Sequence, residues 1–172
     1  YPYETKFTGL ICLDSDPNTL TDETGCQVQN TYVFSGGQAA PISITTAEYL
    51  ATPLSDKLRH DFFITIQKMD DAVIKIAKPD FDLCAETIAP EERINNEWRV
   101  TLTADSAKFG AADLTCDETE IILRDKQTAT FHCSSESANN LGSNVQTPLQ
   151  LAFSYAVESR LPSKSYELTV LQ

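Results

Sequence analysis

Polar and apolar residues alternate along most of this chain, and a period of two is the signature of a half-buried β-strand. From Tyr1 to Leu13 the odd positions hold Tyr1, Tyr3, Thr5, Phe7, Gly9, Ile11 and Leu13, while Glu4, Lys6 and Thr8 fall on even ones. This predicts a long first strand with one apolar face. The same pattern predicts strands over Gln27–Phe34, Ile42–Tyr49, Phe62–Lys68, Ala72–Ala77, Glu97–Thr103, Glu120–Leu123, Thr128–Ser134, Leu149–Val157 and Tyr166–Leu171. Val, Ile, Thr, Phe and Tyr crowd these segments, as a pleated surface prefers.

Breakers separate them: Ser35-Gly36-Gly37, Pro41, Pro53, Pro79, Pro90, the polar stretch Ser137–Gln146, and Pro162. Helical signals are short. Ser55–His60 reads as a turn or two, Pro90-Glu91-Glu92 as a helix start with acids at the positive end of the dipole, and Asp105–Gly110 as a capped single turn. About ten short strands without a strand-helix-strand rhythm predict an all-β antiparallel sandwich, immunoglobulin-like or jelly roll, as a single domain over 1–172. Residues 1–13 could be kept in that domain or donated to a neighbour.

The cysteines sharpen the picture. Cys116 and Cys133 flank EIILRDKQTATF, which reads as strand, turn at Arg124–Gln127, and strand, so the two thiols would face each other across a hairpin. Cys12 and Cys26 flank the polar loop DSDPNTLTDETG. Each bridge would close a loop of about 15 residues, worth roughly 3 kcal/mol in the loop-entropy model, and both imply an oxidising compartment. Cys84 is left over, either as a buried thiol or as a bond to another chain.

Charge narrows the partners. Twenty-five acids against 13 bases give a formal charge of −12, with no Lys/Arg cluster of the kind a phosphate surface requires. Nucleic acid is therefore not an expected partner; divalent cations or a basic protein surface fit the acidity better, and simple solubility is the competing and preferred account. No apolar run is long enough to span a membrane. The chain starts at Tyr1 rather than Met, which reads as a mature chain after removal of an export signal.

Catalytic chemistry finds little support. Only His60 and His132 could serve as imidazole bases; His60 sits at a strand start among charges and His132 alternates with core-like Phe131 beside Cys133, so both read as structural. No GxSxG, P-loop, GxGxxG or HExxH occurs. The acids Asp14, Asp16, Asp61, Asp80, Asp82, Glu91 and Glu92 have the chemistry of a glycosidase pair but no distinguishing context. The expectation is a non-enzyme without a cofactor. Asp14, Asp16, Asn18 and Asp22 space oxygens as the start of a calcium loop does, yet Thr19 and Gly25 stand where its glycine and bidentate glutamate belong. A solvated turn-forming loop is the competing account.

The opening YPYETKFTGLICLDSDP, Cys26 and FSGGQAAPISIT, with the closing PLQLAFSYAVESRLPSKSYELTVLQ, resemble secreted or membrane-tethered archaeal surface proteins with immunoglobulin-like sandwich domains. The resemblance covers roughly the first 45 and last 60 residues. It implies a cell-surface location and a sandwich fold, and brings no functional residues.

The expected function is thus that of an extracellular structural subunit of a self-assembling filament or pilus-like appendage. Tyr1, Tyr3, Phe7 and Ile11 would be anchors in a neighbour's sheet and Gly9 would permit close backbone approach, giving a homo-polymer through strand exchange. The alternatives are pairing of this strand inside its own domain, and an adhesion module using the loop Ser137–Gln146.

Overall fold

The computed structural model describes residues 2–13, 26–34, 40–69, 73–75, 99–103, 105–123, 128–138 and 144–158. These residues form two antiparallel sheets packed face to face, an all-β sandwich. The first sheet is organised by β12 (Val145–Glu158), which pairs along its whole length with β1 (Pro2–Leu13), from Pro2 opposite Ala156 to Leu13 opposite Val145. On its other side β12 meets three short strands in turn: β5 (Val73–Lys75), β6 (Arg99–Leu102) and β7 (Lys108–Phe109). Two further short strands, β8 (Ala112–Asp113) and β10 (Glu120–Ile122), extend this sheet beside β7 and β6. The second sheet runs β2 (Thr31–Val33), β3 (Ile42–Pro53), β4 (Lys57–Lys68), β11 (Thr128–Ala138), β9 (Thr115–Cys116).

Alternation fixes which face each strand buries. On β4, Leu58, His60, Phe62, Ile64 and Ile66 are wholly buried while Arg59 and Phe63 lie outside. β12 is buried on both faces, with Leu149, Leu151, Phe153 and Tyr155 inward and the small Ala152 and Ala156 outward. Aromatic pairs span the gap between sheets: Phe131 meets Phe153 edge-on at 6.1 Å, and Phe62 meets Phe109 at 4.8 Å.

Several expectations are corrected. Ser55–His60 is not helical, because Leu58 and His60 continue the period-two face of β4 and its ladder with β11 begins at Lys57 opposite Ala138. Asp105–Gly110 is not a helical turn. Asp105 takes a left-handed conformation with φ 59°, and Lys108–Phe109 then enters β7, which turns into β8 through Gly110 with φ 63°. The stretch EIILRDKQTATF is not a hairpin, since β10 pairs with β6 in one sheet and β11 with β4 in the other. The predicted loop 137–146 is shorter than expected, because β11 runs to Ala138 and β12 starts at Val145.

Candidate functional site: β1 and its surroundings

The first strand is where the sequence placed its site, and odd-numbered alternation orients it. Phe7, Ile11 and Leu13 are buried, while Glu4, Lys6, Thr8 and Leu10 face out. Thr5 and Tyr155 hydroxyls bond at 2.6 Å across the pair, 150 residues apart in the chain. Gly9 also faces in, where a Cβ would stand 2.5 Å from Cε1 of Phe34 and 2.7 Å from Cζ of Phe7. The Phe34 ring packs edge-on against Phe7 at 4.9 Å in the space a side chain would take. The close approach expected at Gly9 is thus made by a ring of this same chain. All of β1 pairs within its own chain, one of the two placements that the sequence left open.

The end of β1 is pinned twice. Cys12 forms a disulfide with Cys26, as the spacing predicted. The buried Tyr32 hydroxyl accepts hydrogen bonds from the backbone N–H of Cys12 and of Gln29, both at 3.1 Å, and donates to the Cys12 carbonyl at 3.2 Å. One phenol thereby ties β1 to the start of β2. Cys116 and Cys133 are also bonded, as neighbours on β9 and β11 rather than across a β10–β11 hairpin.

The side chains of Tyr1 and Tyr3 lie outside the described residues, as do Asp14, Asp16, Asn18, Asp22 and Cys84. The Pro90 helix start, the turn 124–127 and the strand expected over 166–171 fall outside them too. Among the described residues no group of three acidic, histidine or cysteine side chains is arranged to hold a metal ion.

The sequence named Asp61, His60 and His132 but not their partners, and it missed a cavity; three polar sites result. On the outer face of the second sheet, Asp61 is 9% exposed and accepts from Arg59 Nε at 3.0 Å and from His132 Nε2 at 2.9 Å. The other ring nitrogen of His132 lies 2.8 Å from Asp117 Oδ2. Two carboxylates accept only, so both ring nitrogens need a proton. Burial opposes that charge, but the hydrogen bonds to Asp117 and Asp61 and their negative charges outweigh it and raise the His132 pKa above its usual value. His60 is the opposite case. It is fully buried, with Nδ1 2.9 Å from the Tyr49 hydroxyl and Nε2 2.7 Å from the Ser137 hydroxyl, partners that satisfy a neutral ring. Burial lowers its pKa, against the weaker pull of Asp61. The Ser137–His60 contact has the reach of a nucleophile and base, but the third partner is a phenol and the ring is caged by Tyr49 and Phe109.

The third site is a cavity of about 180 Å³ where the left-handed Asp105, with Thr103 and Asp113, rims a floor of Leu102, Ala107 and Leu114. The Thr103 hydroxyl is buried without a partner among the described residues. The sequence singled out His60 and His132 as the two imidazoles and gave Asp61 no distinguishing context; the cavity has no sequence signal, because its residues come from separate segments around β6, β7, β8 and β9.

No protein-family model matches this sequence, and comparison with curated proteins and with solved structures gives no match either. The site must be read from its own geometry.

Proposed function

We propose that this chain is an extracellular structural protein, a subunit of a self-assembling surface filament in which β1 of one copy completes the sheet of the next. One observation carries the reading: among the described strands β1 forms a backbone ladder with β12 alone, over 12 residues, with no hairpin joining the pair, and its other tie is the Tyr32 hydroxyl at Cys12. A neighbour's β12 would offer the same ladder and the same pockets for Phe7 and Ile11, so the bonds made within one chain can be made between two. The Cys12–Cys26 bridge travels with the strand and sets the hinge at Gln27–Asn30, just before β2. Two disulfides fit an oxidising, extracellular setting. No helix among the described residues is long and apolar enough to cross a membrane.

Deleting residues 1–8 tests the reading. The expected outcome is loss of polymers by electron microscopy with a folded remainder that binds a synthetic peptide of residues 1–13. A remainder that unfolds and is not rescued by the peptide counts decisively against it.

The cavity at Asp105 and Asp113 favours a second reading, an adhesion or binding module, because two acids over an apolar floor with a spare threonine hydroxyl suit a hydroxylated or cationic ligand. Retention of a strictly monomeric chain on a glycan surface, lost in Asp105→Ala, would favour it.

A further inference from the structure

Whichever chain houses it, β1 has a second edge. Successive residues of an antiparallel strand send N–H and C=O alternately to either side, and three observations fix the phase. The Cys12 N–H and C=O turn away from β12, to Tyr32. Opposite Lys6, Ala152 sends its N–H to the Ser106 hydroxyl and its C=O to Thr103, both away from β1. Opposite Leu10, Pro148 sends its C=O to Gly110, again away. Lys6 and Leu10 are therefore not bonded to β12, and Glu4, Lys6, Thr8 and Leu10 present their backbone groups at the free edge. Among the described residues nothing pairs with them. The side chains on that edge are Glu4 and Lys6, which lie 3.4 Å apart as an exposed ion pair, followed by Thr8 and Leu10, the last 56% exposed.

We propose that this edge docks a second copy of itself, antiparallel about a two-fold axis at Thr5, with Glu4 of each chain opposite Lys6 of the other. Charge selects this register. A two-fold pairing must bring one outward residue opposite another, so the axis passes through one of residues 4–8. An axis at Glu4 sets the two Glu4 carboxylates face to face, and one at Thr8 leaves Lys6 opposite Leu10. An axis at Lys6 sets the two Lys6 ammonium groups face to face. An axis at Phe7 places them on a diagonal and leaves Glu4 opposite Leu10. The axis at Thr5 alone gives two opposite-charge cross-strand pairs, together with backbone bonds between Glu4 and Lys6 of the two chains and from Thr8 N–H to the Pro2 carbonyl. A lone lysine on an edge ordinarily guards against pairing; opposite Glu4 it becomes the selector. Tyr32 occupies the edge at Cys12 and ends the ladder there. The two edges of β1 thus have separate roles, the inner one within the sheet and the outer one between copies, so the pairing is independent of strand exchange and would join filaments side by side.

The test is self-association of the oxidised full chain, followed by analytical ultracentrifugation, for Lys6→Pro, Lys6→Ala, Lys6→Glu and the swap Glu4→Lys/Lys6→Glu. Proline at position 6 removes an N–H that no bond among the described residues uses, so the melting temperature should stay near that of Lys6→Ala while the dimer is lost. Lys6→Glu sets like charges opposite each other twice and should raise the dimer Kd about tenfold, and the swap should restore it. A dimer unchanged in Lys6→Pro, or a swap that fails to rescue, overturns the proposal; should Lys6→Pro not fold, the charge series decides alone. A wild-type chain that stays monomeric overturns it as well, whatever the stability of Lys6→Pro. Filaments that persist as single strands in Lys6→Glu separate this pairing from strand exchange, which the deletion of residues 1–8 tests.

Discussion

The two sheets are assembled in different ways. In the second sheet β3 and β4 form a hairpin closed at Leu54, whose N–H donates to the Lys57 carbonyl at 2.8 Å, and β11 then lays a continuous ladder along β4. In the first sheet the longest ladder joins the start of the chain to residues about 150 positions away. Closing so large a loop carries a heavier entropy cost than closing a hairpin. Under the proposed strand exchange, the second sheet is the part that would belong to one chain and β1 the part that chains would share. Pins at its far end, from Cys26 and Tyr32, would limit how far the sharing reaches.

Substitutions separate these two kinds of construction. The largest effect is expected from Phe62→Ala, which empties a wholly buried site between β4 and β7 and should cost about 3–5 kcal/mol in urea denaturation, unfolding both sheets together. Ile11→Ala, equally buried but on β1, should cost about 2–5 kcal/mol, and adding a peptide of residues 1–13 should recover part of that loss. No recovery would mean that β1 is as private to its chain as β4. Replacing Cys12 and Cys26 together by serine should cost about 3 kcal/mol, as should replacing Cys116 and Cys133. Only the first pair should also raise the rate of strand exchange measured by mixing labelled copies.

Tyr32→Phe leaves the ring and removes the hydroxyl that serves the Cys12 backbone, at an expected cost of about 1–3 kcal/mol. Hydrogen exchange should rise at Cys12 and Gln29 and stay unchanged on β4. The smallest effect tests the second sheet alone. The raised pKa of His132 stabilises the fold fully below the ordinary histidine value of about 6.5, and that contribution is lost as pH rises through the folded value. His60, held neutral by burial, acts in the opposite sense and costs stability as pH falls below about 6.5 toward its lowered value. His132→Asn should therefore lower the melting temperature more at pH 5 than at pH 9, leaving the His60 loss unopposed on the acid side. Equal losses at both pH values would show that the Asp61–His132–Asp117 contacts carry no charge.

Much of the fold was legible because the period of two is a local property. Odd residues of β1 and even residues of β4 bury the faces that their alternation assigns, and both expected cysteine pairs are bonded, although the hairpin invoked for Cys116 and Cys133 is not formed. Partner choice was less legible. The strand Glu120–Ile122 reads as half of a hairpin with β11, yet it crosses to the other sheet, and nothing within EIILRDKQTATF distinguishes the two outcomes.

The sequence by itself therefore determined the strand class, the inward face of β1 and the Cys12–Cys26 bridge, since each depends on residues close together in the chain, whereas Cys116 meets Cys133 through the pairing of β9 with β11. Tertiary structure alone decided that β1 lies against β12, that Phe34 fills the space left by Gly9, and that Tyr32 caps the strand. It also brought Asp61 to His132, 71 positions apart. These depend on which strands become neighbours, and that choice is settled by packing the whole interior rather than by any segment's own pattern.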